Sequence, residues 1–327
     1  MHSETGVRPV WRTQQPPASS QQAWRIQGGS DLRYDDNILF LSSGSIESFR
    51  SGRTPQLYRI HSVGDVVFSP WAEVRRRFGR SDLVLGGRLN RYANNGIRDY
   101  EVLHVSVDHR RDRRNSCRMT YRTLLGGYAG ELTNRDSGDL ESVFYDNHEL
   151  EFRYLSRRFQ RVTLAPRQTV RLRVYDHSLD NPRTRASLDA HFPAYIRVAP
   201  WLRVDLDLDA EYLHALTPRD DYNPSAVRFQ GELGTFIEPA GTRFAVAPSI
   251  RYGQRRFTTS QGQDTAFHGR TDTVYQLAVD LQYRFSSAIS LRAGYQHDQV
   301  KAGVVDLAEE DASSARNLYS AALTLDY

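Results

Sequence analysis

Apolar and polar side chains alternate along most of the chain with a period of two residues. The clearest case is LRVDLDLDAEY, residues 202–212, in which apolar or aromatic residues take the even positions and charged residues take the odd ones. The stretch AWRIQGGSDLRYDDN, residues 23–37, follows the same pattern on both sides of its glycines. A helix would spread these residues around its surface, whereas a β-strand places them on opposite faces. The pattern therefore predicts strands with one apolar face and one charged face.

Extended along the chain, the same test predicts about fourteen strands and no helix. The predicted strands are 23–36, 56–72, 82–94, 98–110, 116–127, 141–155, 161–175, 185–198, 202–213, 225–238, 242–256, 272–285, 289–300 and 316–327. Residues 1–22 are polar, contain prolines and lack the apolar core of a signal peptide, so they are predicted to form a tail or linker. Residues 23–327 are predicted to form one domain.

The connections between these strands alternate in length. The short ones lie near 110–115, 156–160, 199–201, 238–241 and 286–288. The longer ones lie near 37–55, 128–140, 176–184, 214–224, 257–271 and 301–315, and the connection near 93–97 is a short exception. This asymmetry is typical of an all-β, transmembrane, antiparallel up-and-down β-barrel with short periplasmic turns and long extracellular loops. An even strand number places both termini on the periplasmic side, and the first strand must pair with the last to close the barrel.

Composition is compatible with such a barrel and excludes a helical membrane protein. Charged residues make up 25% of the 327 residues, and the mean hydropathy is −0.60. No stretch approaches the roughly eighteen consecutive apolar residues of a spanning helix. The net charge is +4, but the arginines are spread along the chain, so no nucleic-acid partner is expected. Cys117 is the only cysteine, which excludes an intrachain disulfide and a cysteine-based metal site.

The C-terminal segment LYSAALTLDY, residues 318–327, places apolar or aromatic residues at every second position up to the last one. These residues are Tyr319, Ala321, Leu323, Leu325 and Tyr327. The ending resembles the terminal strand of bacterial outer-membrane β-barrels, where such a strand is the signal for the barrel assembly machinery. GGSDLRYDDNILF, residues 28–40, is similar to first strands of porin-like families, including surface-lipoprotein assembly modifier barrels and related uncharacterised porins. The resemblance implies an integral location in a Gram-negative outer membrane, contact with its lipid and lipopolysaccharide, and insertion by that machinery.

The face opposite the apolar one is predicted to line the barrel interior and is densely charged. The predicted lumen-lining residues are Arg25, Asp31, Arg33, Arg88, Arg118, Arg122, Arg171, Arg173, Asp189, His191, Arg197, Asp205, Asp207, Asp209, Glu211, Arg228, Glu232, Arg243, Arg251, Asp280 and Arg292. Unpaired charges are not stable in a dry interior. This face is therefore either in contact with water or neutralised by ion pairs between its own side chains. The first alternative predicts a channel for small solutes or an exported polymer. The second predicts a non-conducting barrel that serves a multiprotein envelope or surface-protein secretion assembly, with periplasmic or outer-membrane partners.

Other chemistry has weaker support in the sequence. His61, His104 and His191 have serines nearby (Ser62, Ser106 and Ser187), but no G-x-S-x-G nucleophile elbow is present, so no enzyme is expected. YDDN (34–37), YDNH (145–148) and DHSLDNP (176–182) carry oxygen ligands without the spacing of a calcium loop. Neither a metal nor a cofactor is expected.

Overall fold

The computed structural model describes residues 24–39, 41–53, 59–112, 115–133, 140–156, 161–175, 184–216, 225–258, 269–303 and 313–326. The predicted tail, residues 1–22, and Tyr327 lie outside these ranges. The strand segments are β1 (Trp24–Asp35), β2 (Asp65–Phe78), β3 (Ser81–Tyr92), β4 (Tyr100–Arg110), β5 (Asn115–Thr133), β6 (Leu140–Ser156), β7 (Val162–Leu164), β8 (Arg167–Tyr175), β9 (Arg185–His191), β10 (Ala194–Ala199), β11 (Leu202–Ala215), β12 (Ala226–Ile237), β13 (Phe244–Phe257), β14 (Thr271–Arg284), β15 (Ile289–Lys301) and β16 (Ser314–Asp326).

The sixteen segments form fourteen barrel strands, because two barrel strands are each divided by a proline. Pro166 separates β7 from β8, and Pro193 separates β9 from β10. Proline lacks the N–H that a ladder requires, so the pairing is interrupted at these points. The Ala165 N–H still donates to the Pro193 carbonyl at 3.0 Å, which keeps the two barrel strands together. The predictions of an all-β class and of about fourteen strands are confirmed.

Every segment pairs antiparallel with its neighbours, and the sheet closes on itself. β1 pairs with β2 on one side and with β16 on the other, with Gly28 opposite Leu325 and Tyr34 opposite Tyr319. On the far side, β10 pairs with β11, and β6 pairs with β8. Closure leaves no edge strand with unpaired backbone groups. The predicted pairing of the first strand with the last is therefore confirmed.

The outer face of the barrel is apolar. Large exposed hydrophobic side chains recur at every second position, including Leu208 at 64% and Phe229 at 62% exposure. Aromatic side chains pack together on this face near the strand ends: the Tyr319 ring lies 5.2 Å from that of Tyr295, and the Tyr283 ring lies 4.9 Å from that of Phe285. On β16, Tyr319, Ala321 and Leu323 are all exposed on the outer face. Within the described ranges, no helix is long and apolar enough to cross a membrane.

The structure corrects three details of the sequence prediction. The second strand runs over Asp65–Phe78 rather than 56–72, and the long connection before it contains a helix, α1 (Ser43–Arg50). The Ser42 hydroxyl accepts the N–H of Ser45 at 3.2 Å and caps that helix. An eight-residue helix is too short to show a clear period and depends on its tertiary surroundings.

The third correction concerns residues 128–140, which were predicted to be a loop. β5 extends to Thr133 and β6 begins at Leu140, so these are the longest strands of the barrel, at 19 and 17 residues. The register of this pair shifts between Leu124 and Gly127 and again between Tyr128 and Gly130. Gly126 and Gly130 have positive φ angles of 73° and 124°, as β-bulges require. The bulges interrupt the two-residue alternation that identified the strands, but the ladder continues past them.

Candidate functional site

The charged positions converge on the inner face of the barrel. On β11, Asp205, Asp207, Asp209 and Glu211 alternate with the exposed residues Leu206, Leu208 and Tyr212 and are less exposed than they are. The other predicted lumen residues lie on the same inward-facing positions of their strands, with one exception. Arg243 lies in the turn between β12 and β13, where it is exposed and donates to the Phe285 carbonyl at 2.7 Å. It belongs to the rim at the short-turn end and not to the wall. Arg197 is exposed near the same rim, opposite Arg203.

One part of the inner surface, formed by β14–β16 and β1–β5, consists largely of simple ion pairs. We refer to it as the paired wall. Its principal contacts are Arg25 Nε to Asp326 at 2.7 Å, Arg88 to Asp31 at 2.7 Å, Arg292 to Asp280 at 3.0 Å, Arg316 to Asp298 at 2.7 Å, and Arg118 to Asp108. Most of these arginines have one carboxylate as their main partner, so charge is balanced locally along most of this wall. The exception lies at the short-turn end, where Asp82 contacts Arg75, Arg77 and Arg110.

A glycine allows one contact of the paired wall to pass over an intervening strand. His104 on β4 reaches Glu73 on β2, with its Nε2 atom 3.6 Å from the carboxylate. Gly86 on β3 lies between them, and a Cβ atom there would lie 2.4 Å from the imidazole ring. Any other residue at position 86 would displace His104. The contact therefore depends on the missing side chain.

The remaining inner surface, formed by β6–β13, is more crowded, and we refer to it as the crowded wall. Arg171 lies at its centre and contacts Glu149 at 3.2 Å, Asp189 at 3.3 Å and Glu211 at 3.5 Å. Glu211 also binds Arg228 at 3.0 Å. The side chains of Asp189 and Glu211 are only 1% and 7% exposed. Here a few buried groups share several partners, and removing one of them affects the others.

Three possible metal ligands meet within the crowded wall. One ligand atom from each of Asp189, His191 and Asp209 lies within 4.8 Å of the other two. His191 Nδ1 is 2.5 Å from Asp209 Oδ2, and Arg167 Nη2 is 3.4 Å from the same nitrogen. Arg171 and Arg228 reach Asp189 and Asp209 from the other sides. These guanidinium groups supply the positive charge that a metal ion would supply, so the trio fits the ion-pair network better than a cation site.

The serine and histidine candidates do not form a nucleophile–base pair. The Ser106 hydroxyl is 2.9 Å from the Thr120 hydroxyl, and the Ser187 hydroxyl accepts from Arg171 at 3.4 Å. His104 and His191 contact carboxylates instead. Within the described part of the chain, neither serine is bonded to a histidine, which a Ser-His arrangement requires.

Sequence reasoning missed several charged residues of the inner face. Glu149, Arg185 and Arg255 all lie on inward positions and contribute to the crowded wall. The alternation places them on the inner face, because Arg185 lies an even number of residues from Asp189 on the same strand, and Arg255 lies an even number from Arg251. The alternation was sufficient to find them, although it did not reveal which of these residues are buried.

Comparisons with known proteins place the fold but not the family. No family model matches the sequence, and a search of curated proteins found no match. Among solved structures, the chain is similar to the CymD monoaromatic hydrocarbon channel, with 8% identity, a TM-score of 0.52, and coverage of 93% of this chain and 88% of that one. It is also similar to a Pseudomonas aeruginosa FadL homologue, with 10% identity, a TM-score of 0.50, and coverage of 93% and 90%. The resemblance to outer-membrane β-barrels is thus confirmed at the level of the fold.

Proposed function

We propose that this protein is an outer-membrane channel for small solutes and that its charged inner wall filters them. The observation that carries the proposal is the arrangement of the inner ion pairs in a closed barrel. Each pair described above joins strands that are adjacent or separated by one strand. Such pairs follow the wall, and this arrangement supports a water-filled centre.

The size of the barrel supports the same function. Eight strands enclose an interior that side chains can fill, whereas barrels of about sixteen strands leave an aqueous channel. Fourteen barrel strands are closer to the second case. Charged walls of this density are also more stable in contact with water than in a dry core. A charged lumen favours polar or ionic solutes, in contrast to the hydrocarbons named for CymD.

The outer face supports a location in the outer membrane. Its exposed apolar side chains would contact lipid, with the aromatic residues near the strand ends and lipopolysaccharide on the outer side. Tyr319, Ala321, Leu323, Leu325 and Tyr327 would be recognised by the barrel assembly machinery. β1 begins and β16 ends at the end of the barrel that carries the short turns. In outer-membrane barrels that end faces the periplasm, so both termini are assigned there.

Reconstitution into planar bilayers tests the channel. The protein is extracted with detergent and checked for the heat-modifiable gel mobility of a folded barrel before it is added to the bilayer. We expect discrete conductance steps with an ion selectivity that depends on salt concentration, because mobile ions screen the wall charges. A folded barrel that never conducts would overturn the channel and favour the alternative, a non-conducting barrel that serves an envelope or secretion assembly.

A further inference from the structure

Arginine side chains line a recess in the crowded wall, near the end of the barrel that carries the long loops. Its cavity volume is about 40 Å³, and its charged lining residues lie on inward-facing strand positions. The charged residues that line it are Arg171, Arg173, Arg185, Arg228, Arg255 and Glu211. The lining therefore holds five guanidinium groups and one carboxylate. A volume of this size has room for about three water molecules, which suits a small ion and not a larger organic solute.

Two of the recess arginines share carboxylates with the rest of the crowded wall. Arg171 and Arg228 bind Glu211, and they also reach Asp189 and Asp209 on the short-turn side. Two further recess arginines contact aromatic residues. Arg185 donates to the Tyr175 hydroxyl at 3.0 Å, and the Arg173 guanidinium lies 4.3 Å from the centre of the Tyr145 ring.

Arg255 is the arginine whose charge is least compensated. Its neighbours across the strands are Arg228 on β12 and Asp272 on β14. Asp272 is already held by Arg270, through Nε at 2.6 Å and Nη2 at 3.2 Å. Among the described residues, the Arg255 guanidinium makes neither a hydrogen bond nor an ion pair. It lines the recess with its donors available.

The register also places like charges together. Arg228 lies directly opposite Arg255, and Arg173 lies directly opposite Arg185. Like charges directly opposite each other on neighbouring strands destabilise a sheet. Arg25 and Arg75 are also opposite each other on the paired wall, but their guanidinium groups are balanced by Asp326, Glu73 and Asp82. In the recess, Arg255 has no carboxylate partner among the described residues, and an anion bound beside it would compensate its charge.

We propose that this recess binds a small multivalent oxyanion, with phosphate as its simplest member, and that it is the selectivity site of the channel. The planar fork of arginine matches the oxygens of phosphate and carboxylate groups, and several such forks favour a ligand with more than one negative charge. The charged residues that line the recess lie on the inner face, away from the lipid-facing side chains, so the ligand is a dissolved solute and not a lipid headgroup. This assignment of a solute class rests on the proposed channel function.

Calorimetric titration of the detergent-solubilised, folded barrel with inorganic phosphate at low salt tests the site without requiring conduction. We expect saturable binding to the unmodified protein. Arg255→Gln should weaken this binding about tenfold or more, because it removes charge-assisted hydrogen bonds to the anion. Arg292→Gln removes the same charge from the paired wall and should leave the affinity within about twofold, because Arg292 pairs with Asp280 and does not line the recess. Arg185→Gln is the second recess variant, should Arg255→Gln not fold.

The outcomes separate this proposal from the channel itself. Absence of phosphate binding to the unmodified barrel, or equal losses in Arg255→Gln and Arg292→Gln, would overturn the anion site even if the barrel conducts. A barrel that binds phosphate through Arg255 but carries no current would retain the site and overturn its role in a channel. In a conducting barrel, phosphate should reduce the chloride current, and Arg255→Gln should remove this block. A block of equal strength in Arg255→Gln would also contradict the proposal.

Discussion

The paired wall and the crowded wall are built from the same alternating strands, yet their inner surfaces differ. On the paired wall, Arg292 and Asp280 form a simple pair, as do Arg88 and Asp31. On the crowded wall, Glu211 serves both Arg171 and Arg228, and Arg255 is left without a carboxylate partner among the described residues. Local pairing stabilises the barrel but leaves little net field. Uneven pairing costs stability and leaves a positive recess that a solute anion can use.

The largest effect expected from this difference is on stability. Glu211 and Asp280 have equally buried side chains, each 7% exposed, but Glu211 holds two arginines and Asp280 is the ion-pair partner of Arg292. Glu211→Gln should destabilise the folded barrel by about 3–5 kcal/mol, because it leaves buried positive charge uncompensated. Asp280→Asn should cost about 1 kcal/mol, because its partner Arg292 is partly exposed to water. Urea unfolding in detergent measures both, and equal costs would remove the distinction between the walls.

The second prediction limits the difference to the inner face. Leu208 lies on β11, a strand of the crowded wall, and Leu277 lies on β14, a strand of the paired wall. Both side chains point outward and are 64% and 52% exposed. Leu208→Arg and Leu277→Arg should each cost about 2–4 kcal/mol near the bilayer midplane, because both place a charge in lipid. Insertion efficiency and unfolding in lipid vesicles are the measurements. If only one variant were impaired, the outer faces would also differ.

The smallest effect is the most discriminating, because its sign should differ between the walls. Arg292→Gln leaves Asp280 without its arginine and should destabilise the barrel by about 1 kcal/mol. Arg255→Gln removes a guanidinium opposite Arg228 and should be neutral or stabilise the barrel by a few tenths of a kcal/mol. Parallel urea titrations without phosphate compare them. A larger loss in Arg255→Gln than in Arg292→Gln would show that Arg255 has a structural role.

Local pattern was sufficient to predict most of the fold. The alternation in residues 202–212 identified the strand and both of its faces, because the strand period is a property of the backbone alone. The same signal was available for Arg185 and Arg255. The alternation failed to predict the structure where bulges interrupt it and where an element is very short. Residues 128–133 were predicted to be part of a loop but continue β5 beyond its bulges, and the helix at Ser43–Arg50 is too short to have a distinct period.

By itself, the sequence determined the strand number, the apolar and charged faces, and the pairing of the last strand with the first. These follow from a two-residue period and from the need to satisfy every backbone group in lipid. Only the tertiary structure decided which charges meet. Arg25 and Asp326 are 301 residues apart, and Arg171 reaches Glu211 across β9. These contacts depend on register and closure, because a shift of two residues preserves the faces but changes every partner. The recess around Arg255 exists for the same reason.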